Sequence, residues 1–299
     1  MLRIAAAALV LSYAPAVELA RFQDPAVAES SGVSASSVSD DVLFTHNDSG
    51  DGARFYAVDR GGATVGSFTV AGAAADDWED MARGLTADGR PALFFADIGD
   101  NFRRRPSVTV YEVAEPTLPG DGTAELVARH DLRYEDGSHD AETLLVDPRT
   151  RDLLVVTKDR EGTSGVYRAD GGLLRRVGEI RLDRLVRRAG AYAKAATAGD
   201  VAPDGRRVVV RTPFEAFEWE VGDDGVVAAV ARTPRRIPLP QTEQGEAIAY
   251  TRDGRSLVTT SEGVGAPVHL VRGDRQVGPD LLAPRPAAAA PSPEVDGQA

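Results

Sequence analysis

Three glutamates, a serine and a threonine occupy the same position in five copies of one sequence pattern. These anchor residues are Ser31, Glu79, Glu142, Thr197 and Glu246. If the copies surround an axis, three carboxylates lie close together. At about 5 Å and an effective dielectric of about 20, each pair of charges repels by roughly 3 kcal/mol. The three carboxylates must therefore be protonated, paired with cations or bound to a metal ion.

Calcium and salt bridges are the two ways of neutralising the anchors that the sequence suggests. Carboxylate, hydroxyl and carbonyl oxygens, with no histidine or sulfur among them, suit calcium, which takes about 6–8 oxygen ligands. Lys158 and Arg211 follow apolar segments of two copies and could instead pair with the glutamates. We predict a calcium site formed by the five anchors, with a salt-bridged cluster as the alternative.

Each anchor precedes two short apolar segments joined by a turn, the pattern of a β-hairpin. After Glu142 these segments are Leu144–Val146 and Leu153–Val156. The second segment begins 11 residues after the anchor in four copies, and the copy at Glu79 fits with two inserted residues. The anchors are 48, 63, 55 and 49 residues apart. A period of about fifty residues with several strands per copy is typical of a β-propeller.

We therefore predict an all-β fold, a five-bladed β-propeller over residues 17–282, with six blades as the alternative. The last copy has only three strands after its anchor, and an N-terminal strand commonly completes such a blade and removes its open edge. Val17–Phe22 is accordingly predicted to pair with Val268–Val271. The outer strand of the fourth blade is predicted at Val226–Ala231, after an insertion at Leu182–Ala196.

Composition excludes several classes of function. The chain of 299 residues has a net charge of −12 and a pI of about 4.9, which argues against binding to nucleic acid. It has no cysteine, so disulfides and thiolate metal sites are absent. Its four histidines show no metal-binding spacing. We expect a monomer whose ligand is a small molecule or another protein.

Both ends of the chain differ in composition from the repeats. Arg3, the apolar run Ile4–Tyr13 and Ala14–Ala16 form the pattern of a secretory signal, so residues 1–16 are predicted to be removed after Ala16. The alternative is a buried strand, and the run is too short to span a bilayer. We expect an extracellular or cell-envelope protein. Residues 283–299 are rich in proline and alanine and are predicted to be a disordered tail.

The polar residues that end the second strands should meet the anchors at one mouth of the central channel, because successive strands of a blade alternate in direction. The candidates for catalysis at this mouth are His46, Asp48, Asp97 and Asp100. The candidates for ligand binding are Asn47, Asn101, Lys158, Arg211 and Glu262.

The anchors resemble the calcium-activated nucleotidases, the animal apyrases. In that family a five-bladed propeller holds calcium in its channel through one residue per blade, in the order Ser, Glu, Glu, Ser, Glu. The fourth anchor of this chain is Thr197, which keeps a hydroxyl and a backbone carbonyl. The segments ESSGV, THNDSGD, DWEDMA, DIGDN, DAETLLVD, PDGRRVVVRT and QGEAIAY are similar to secreted bacterial propeller proteins of uncharacterised activity. The resemblance implies a calcium-bearing propeller and assigns no activity.

Two functions are consistent with these expectations. The first is an exported calcium-binding propeller that serves as a ligand-binding or scaffold module through the mouth of its channel. The second is a calcium-dependent hydrolase of phosphoesters or phosphoanhydrides, similar to an apyrase or a propeller phytase. A hydrolase would use calcium to hold phosphate oxygens and a nearby carboxylate to orient water.

Overall fold

The structure is a computed structural model that describes residues 11–188, 190, 192–242 and 244–275. Over these residues the chain consists of short strands and two helices of about one turn. In chain order the elements before the second anchor are β1 (Leu11–Tyr13), β2 (Val17–Arg21), β3 (Ser30–Ala35), β4 (Val42–Asn47), β5 (Arg54–Asp59) and β6 (Thr64–Val70).

The next two copies of the pattern contain nine strands and the first helix. They are β7 (Trp78–Leu85), β8 (Pro91–Asp97), β9 (Val108–Ala114), β10 (Gly122–Ala124), β11 (Leu126–Tyr134), β12 (Ala141–Val146), β13 (Leu153–Thr157), β14 (Thr163–Asp170), β15 (Leu173–Arg181) and α1 (Leu182–Leu185).

The remaining elements belong to the last two copies. They are β16 (Ala198–Val201), β17 (Arg207–Arg211), β18 (Glu215–Glu220), α2 (Gly225–Val230), β19 (Arg235–Pro238), β20 (Gly245–Tyr250), β21 (Leu257–Ser261), β22 (Pro267–Val271) and β23 (Gly273–Arg275).

Twenty of the described strands form five antiparallel sets of four, which we call blades one to five. Blade one is β3–β6, blade two is β7–β9 with β11, blade three is β12–β15, blade four is β16–β19, and blade five is β20–β22 with β2. Two parallel pairings add to this pattern at the outer edges: β10 lies beside β6, and β11 lies beside β15. The first strand of each blade contacts the first strand of the next, and β20 contacts β3, so the ring is closed.

The apolar core lies between the blades. Adjacent blades share a cluster of buried side chains, as where Phe44 and Phe55 of blade one meet Trp78 and Phe95 of blade two. Corresponding clusters join blades two and three, three and four, four and five, and five and one. Burial of these apolar surfaces is the main favourable contribution to folding, and it holds the five first strands around one axis.

The predicted all-β propeller and its closure by the N-terminal strand are confirmed. Strand β2 pairs with β22 in antiparallel register, with Val17 opposite Leu270 and Arg21 opposite Pro267. This pairing gives the last blade its fourth strand and covers an edge that would otherwise be exposed.

The predicted outer strand of blade four is wrong. Most of Val226–Ala231 forms α2, and the fourth strand is β19. Val226, Ala229 and Val230 follow helical spacing and are buried in the core between blades three and four. The insertion before blade four contributes Leu182, from α1, to the same core.

Residues Leu11–Tyr13 are part of the described fold. They pair with β23, and the Tyr13 hydroxyl donates a hydrogen bond of 2.5 Å to Glu218 Oε1. Cleavage after Ala16 would remove this strand, and the cleavage site stays a prediction. The start of the signal, residues 1–10, and the tail at 283–299 lie outside the described residues. Among the described helices, none has the length and apolarity needed to cross a membrane.

We expect Tyr13→Phe to lower the free energy of unfolding by about 1 kcal/mol in a chain that retains residue 13, because buried Glu218 loses a hydrogen-bond donor. Urea denaturation of the wild type, Tyr13→Phe and a chain beginning at Val17 measures this loss. The shorter chain should be the least stable of the three. Equal denaturation midpoints for the wild type and Tyr13→Phe would contradict the prediction.

Candidate metal centre at the channel mouth

Two of the anchors carry hydroxyl groups, and both connect neighbouring blades. Ser31, in β3, donates a hydrogen bond of 2.6 Å from Oγ to the carbonyl oxygen of Glu79. Thr197 lies just before β16, and its hydroxyl contacts the carbonyl oxygen of Glu246 at 3.3 Å. Each hydroxyl therefore contacts the backbone of the anchor in the next blade. Its oxygen keeps lone pairs that could still accept a hydrogen bond or bind an ion.

A group of three carboxylates lies beside these anchors, and we call it the acidic trio: Asp48, Asp77 and Glu79. One oxygen from each lies within 4.8 Å of one from each of the others. Asp48 follows β4 of blade one, Asp77 precedes β7 of blade two, and Glu79 is the second residue of β7. The trio therefore spans the boundary between blades one and two.

No side chain of the described residues donates a hydrogen bond to a carboxylate group of the trio or forms an ion pair with one. Asp48 Oδ1 is buried without a partner, and Glu79 is only 5% exposed. Gly99 completes the enclosure, because a Cβ atom there would lie 2.2 Å from Glu79 Oε1 and 2.3 Å from Asp77 Oδ2. Only glycine at position 99 therefore allows the backbone to come this close to the carboxylates of Asp77 and Glu79.

An ion pair between buried Asp97 and half-buried Arg105 lies beside the loop that carries Asp77. Asp97 accepts a hydrogen bond of 3.1 Å from the Asp77 backbone N–H and lies 2.7 Å from Arg105 Nη2. The Gly99 N–H donates to the Asp77 carbonyl at 3.2 Å. Asp97 therefore positions the loop that carries Asp77, and its charge is already paired with Arg105.

The third-blade anchor, Glu142, has a different partner from the trio. Its Oε1 is paired with the ammonium of Lys158, whereas its Oε2 is buried without a partner. This contact is the salt bridge that we considered as the alternative to a metal ion. Among the described residues it is formed by only one of the three anchor glutamates. Burial raises the pKa of Glu142, and the ammonium of Lys158 opposes that effect.

The fifth-blade anchor, Glu246, lies in the field of Arg211 without forming an ion pair with it in the described structure. The Arg211 guanidinium is fully buried and donates to backbone carbonyls, at 2.8 Å to Ala247 and 3.1 Å to Pro213. Burial raises the pKa of Glu246, and the positive charge of Arg211 opposes it. Arg211 is therefore a structural cation of the channel wall.

The carboxyls of the mouth resist ionisation. Burial, followed by repulsion from Asp77, raises the pKa of Asp48 to about 7. Burial, followed by repulsion from Glu246, raises the pKa of Glu262 to about 7. Burial and the charge of Glu142 raise the pKa of Glu79 well above its usual value. A cation at the mouth would relieve the repulsion and favour the ionised forms.

Two of the predicted catalytic residues contact neighbouring backbone groups, although Nε2 of His46 is buried without a hydrogen-bond partner. His46 is fully buried against Trp78 and Phe95, and its Nδ1 contacts the Asn47 carbonyl at 3.0 Å. Asp100 accepts a hydrogen bond of 2.7 Å from the Arg105 backbone N–H. Of the four candidates, the structure brings only Asp48 into the trio.

Apart from Arg211, described above, the predicted ligand-binding residues lie in three places. Asn47 holds the loop before β3, since its Oδ1 accepts from the N–H groups of Ala28 and Glu29 at 3.0 Å. Asn101 and Lys158 instead face a cleft of about 430 Å³. The other residues of this cleft are Arg103, Asp140, Asp159, Arg160 and Glu161. Glu262 lies on the far side of the mouth and accepts a hydrogen bond from Gln244 Nε2 at 2.5 Å.

Below the mouth, two fully enclosed carboxylates connect blades through backbone hydrogen bonds. Asp80 Oδ2 accepts from Leu144 N–H at 2.9 Å and Gly199 N–H at 3.2 Å, so a residue of blade two joins blades three and four. Asp200 Oδ2 accepts from Tyr250 N–H at 2.8 Å, joining blades four and five. Burial raises the pKa of Asp80, and these N–H donors oppose it.

Sequence reasoning missed Asp77, Gly99 and Asp80. Asp77 and Asp80 flank the anchor within DDWEDMA, and Gly99 lies in DIGDN. Both segments are dense in acidic residues, but the repeat compares only one position per blade. The repeat comparison therefore does not identify the other side chains that lie at the mouth beside an anchor.

Comparisons with known proteins do not assign this chain to a family. No family model matches the sequence, and no curated protein matches it. Among solved structures, the chain is similar to the crystal structure of RRP9 WD40 repeats, with 10% identity and a TM-score of 0.48, covering 89% of this chain and 100% of that one. It is also similar to the structure of U3-55K, with 11% identity and a TM-score of 0.44, covering 86% of this chain and 98% of that one. Similarities of this size transfer no function.

Replacing Asp80 tests the buried connection between blades. We expect Asp80→Asn to lower the free energy of unfolding by about 1–3 kcal/mol. Both oxygens of Asp80 accept backbone N–H groups, Oδ2 from Leu144 and Gly199 and Oδ1 from Met81, whereas the amide nitrogen of asparagine cannot accept a hydrogen bond. Chemical denaturation measures the change, with Asp223→Asn, an exposed carboxylate, as the control. The same midpoint for Asp80→Asn and the wild type would refute the connecting role.

The raised pKa of Asp48 predicts a pH dependence in calcium-free buffer. Between about pH 4 and pH 7 the folded state keeps a proton that the unfolded state has released, so the free energy of unfolding should fall as the pH rises. Asp48→Asn removes the titration and should be more stable than the wild type at pH 8, but not at pH 4. Denaturation across this range measures the difference. A difference that stays constant with pH would contradict the prediction.

Proposed function

We propose that this protein binds a calcium ion at the mouth of its channel and serves as a ligand-binding or scaffold module. The observation that carries the proposal is the acidic trio: three carboxylates within 4.8 Å of one another. In the described part of the chain none of the three forms an ion pair. Holding them together without a directly paired cation is costly, since each pair of charges about 5 Å apart repels by roughly 3 kcal/mol.

The donor set favours calcium over softer metals. The trio offers carboxylate oxygens, and backbone carbonyls and water can supply the remaining ligands that calcium requires. His46, the histidine nearest in sequence, packs into the aromatic core and is therefore not part of the set. The close approach permitted by Gly99 also suits an ion held between two loops. Bound there, calcium would tie blade one to blade two.

A binding role accounts for the other polar residues better than catalysis does. Asp97 is neutralised by Arg105, Asp100 accepts a backbone N–H group, and His46 is buried. Asp48 remains, and it is assigned to the ion. The surface beside the ion is the cleft at Lys158, where two arginines, Arg103 and Arg160, have no ion pair among the described residues. We propose this cleft as the surface for a ligand.

Export is the second part of the proposal, and it rests on the basic, apolar and small-residue order of residues 3–16. A calcium site formed by three carboxylates is compatible with the millimolar to submillimolar calcium that extracellular modules bind. Mass analysis of the protein recovered from culture medium tests the proposal. We expect a chain that starts at Val17, and an intact Met1 on a protein confined to the cytoplasm would overturn it.

Calcium should bind the wild type and raise its melting temperature, because an ion that binds only the folded state stabilises it. The gain is about 2.7 kcal/mol at a hundredfold excess over the dissociation constant. Glu79→Gln should weaken binding at least tenfold. Gly99→Ala should do the same without changing a charge, because its methyl group collides with Glu79 and Asp77. Isothermal calorimetry and melting curves provide the readout, with Glu161→Gln, on the neighbouring cleft, as the matched control.

A wild type indifferent to calcium in both measurements would overturn the metal site. Activity is tested separately, by incubating the purified protein with nucleotides and phosphate esters, with and without calcium. Calcium-dependent release of phosphate would replace the binding role with that of a hydrolase.

A further inference from the structure

Lys158 occupies a special position among the acidic side chains of the mouth. It follows β13, and its backbone N–H donates to the Asp140 carbonyl at 2.9 Å. Its side chain is only 13% exposed, and the ammonium is paired with Glu142 Oε1. The ammonium also lies 5.5 Å from the centre of the Tyr192 ring, which favours a cation at this place.

The charge of Lys158 reaches well beyond Glu142. It acts on the trio members Asp48, Asp77 and Glu79, and on Glu246 and Glu262 across the mouth. The other cations near the mouth are engaged differently, since Arg105 pairs with Asp97 and Arg211 donates to carbonyls. Arg105 acts more strongly than Lys158 on Asp77, and Arg211 acts more strongly on Glu246. Lys158 differs from both because it acts on all five groups and its ammonium is paired with Glu142.

We propose that the Lys158 ammonium is a built-in counter-ion that keeps Glu142 out of the cation site and leaves the acidic trio to bind the ion. The inference rests on the proposed calcium function and names a residue that sets its affinity. Glu142 Oε2 is buried without a partner, so this glutamate has the capacity to bind an ion once the ammonium is gone. In the native mouth the ammonium and the metal ion compete for the same carboxylate.

The proposal predicts opposite effects from removing the two partners. Lys158→Met releases Glu142 and removes a like charge, so calcium should bind at least tenfold more tightly. Glu142→Gln leaves the ammonium uncompensated beside the trio, so calcium should bind more weakly. The double variant Lys158→Met/Glu142→Gln has the net charge of the wild type and should recover its affinity to within about threefold. Most of the gain in Lys158→Met needs Glu142, so the same replacement made in Glu142→Gln should strengthen binding only about threefold. The difference between the two gains measures the coupling between the two side chains.

The experiment is calcium titration calorimetry on these four proteins, with circular dichroism to show that each is folded. Lys158→Arg, which keeps the charge, is the matched control and should resemble the wild type. If Glu142 were instead a calcium ligand of the native site, the double variant would stay as weak as Glu142→Gln, and the proposal would be overturned. A gain in Lys158→Met that persists in the double variant would also overturn it, since Lys158 would then act without Glu142.

The experiment still tests the proposal if one variant does not fold or if the wild type binds no calcium. If Lys158→Met fails to fold because Glu142 is left buried and unpaired, Glu142→Gln and the double variant still test the proposal, because both lack that orphaned charge. Failure of the calcium function is distinguished by the wild type alone. A wild type that binds no calcium overturns the proposed function, whereas a wild type that binds calcium with no recovery in the double variant overturns only the role of Lys158.

Discussion

Closure of the strand ring is the constraint on which the rest of the molecule depends. Because β2 completes blade five and β20 contacts β3, the five first strands must share one axis. Apolar clusters between adjacent blades supply the favourable free energy for this arrangement. The same geometry brings together polar residues that are about fifty positions apart in the chain. The repulsion between the carboxylates among these residues is therefore a consequence of closing the ring.

The carboxylates near the axis are accommodated in three different ways. Asp80 and Asp200 are enclosed and accept backbone N–H groups from other blades. Glu142 is paired with an ammonium. The acidic trio has neither kind of partner in the described structure.

Contacts between blades are thus of two kinds. Away from the axis they are apolar and adapt to many side chains of suitable volume. At the axis they are hydrogen bonds from single atoms, as from Ser31 to the carbonyl of Glu79. A calcium ion held by Asp48 of blade one and Asp77 of blade two would be a further polar connection of this second kind. The proposed function and the stability of the ring would then share one set of residues.

Much of the fold could be predicted from the sequence because it is repeated. A single hairpin is a weak signal, but five anchors at similar intervals predict strands, blades and ring closure together. The prediction failed at Val226–Ala231, where a short apolar run fits either a strand or a helical turn. Contact with the core between blades three and four made it α2. Periodicity cannot separate these alternatives over six residues.

The sequence by itself determined that Glu79, Glu142 and Glu246 face one channel, since the repeat places them at equivalent positions. Only the tertiary structure decided their partners. Lys158 reaches Glu142, whereas Asp48 and Asp77 join Glu79 across a blade boundary. The physical reason is that repeat spacing fixes where a backbone position lies, but charge pairing depends on a few ångströms between side chains of different loops. Those distances are set by how the blades pack, and no interval in the chain records them.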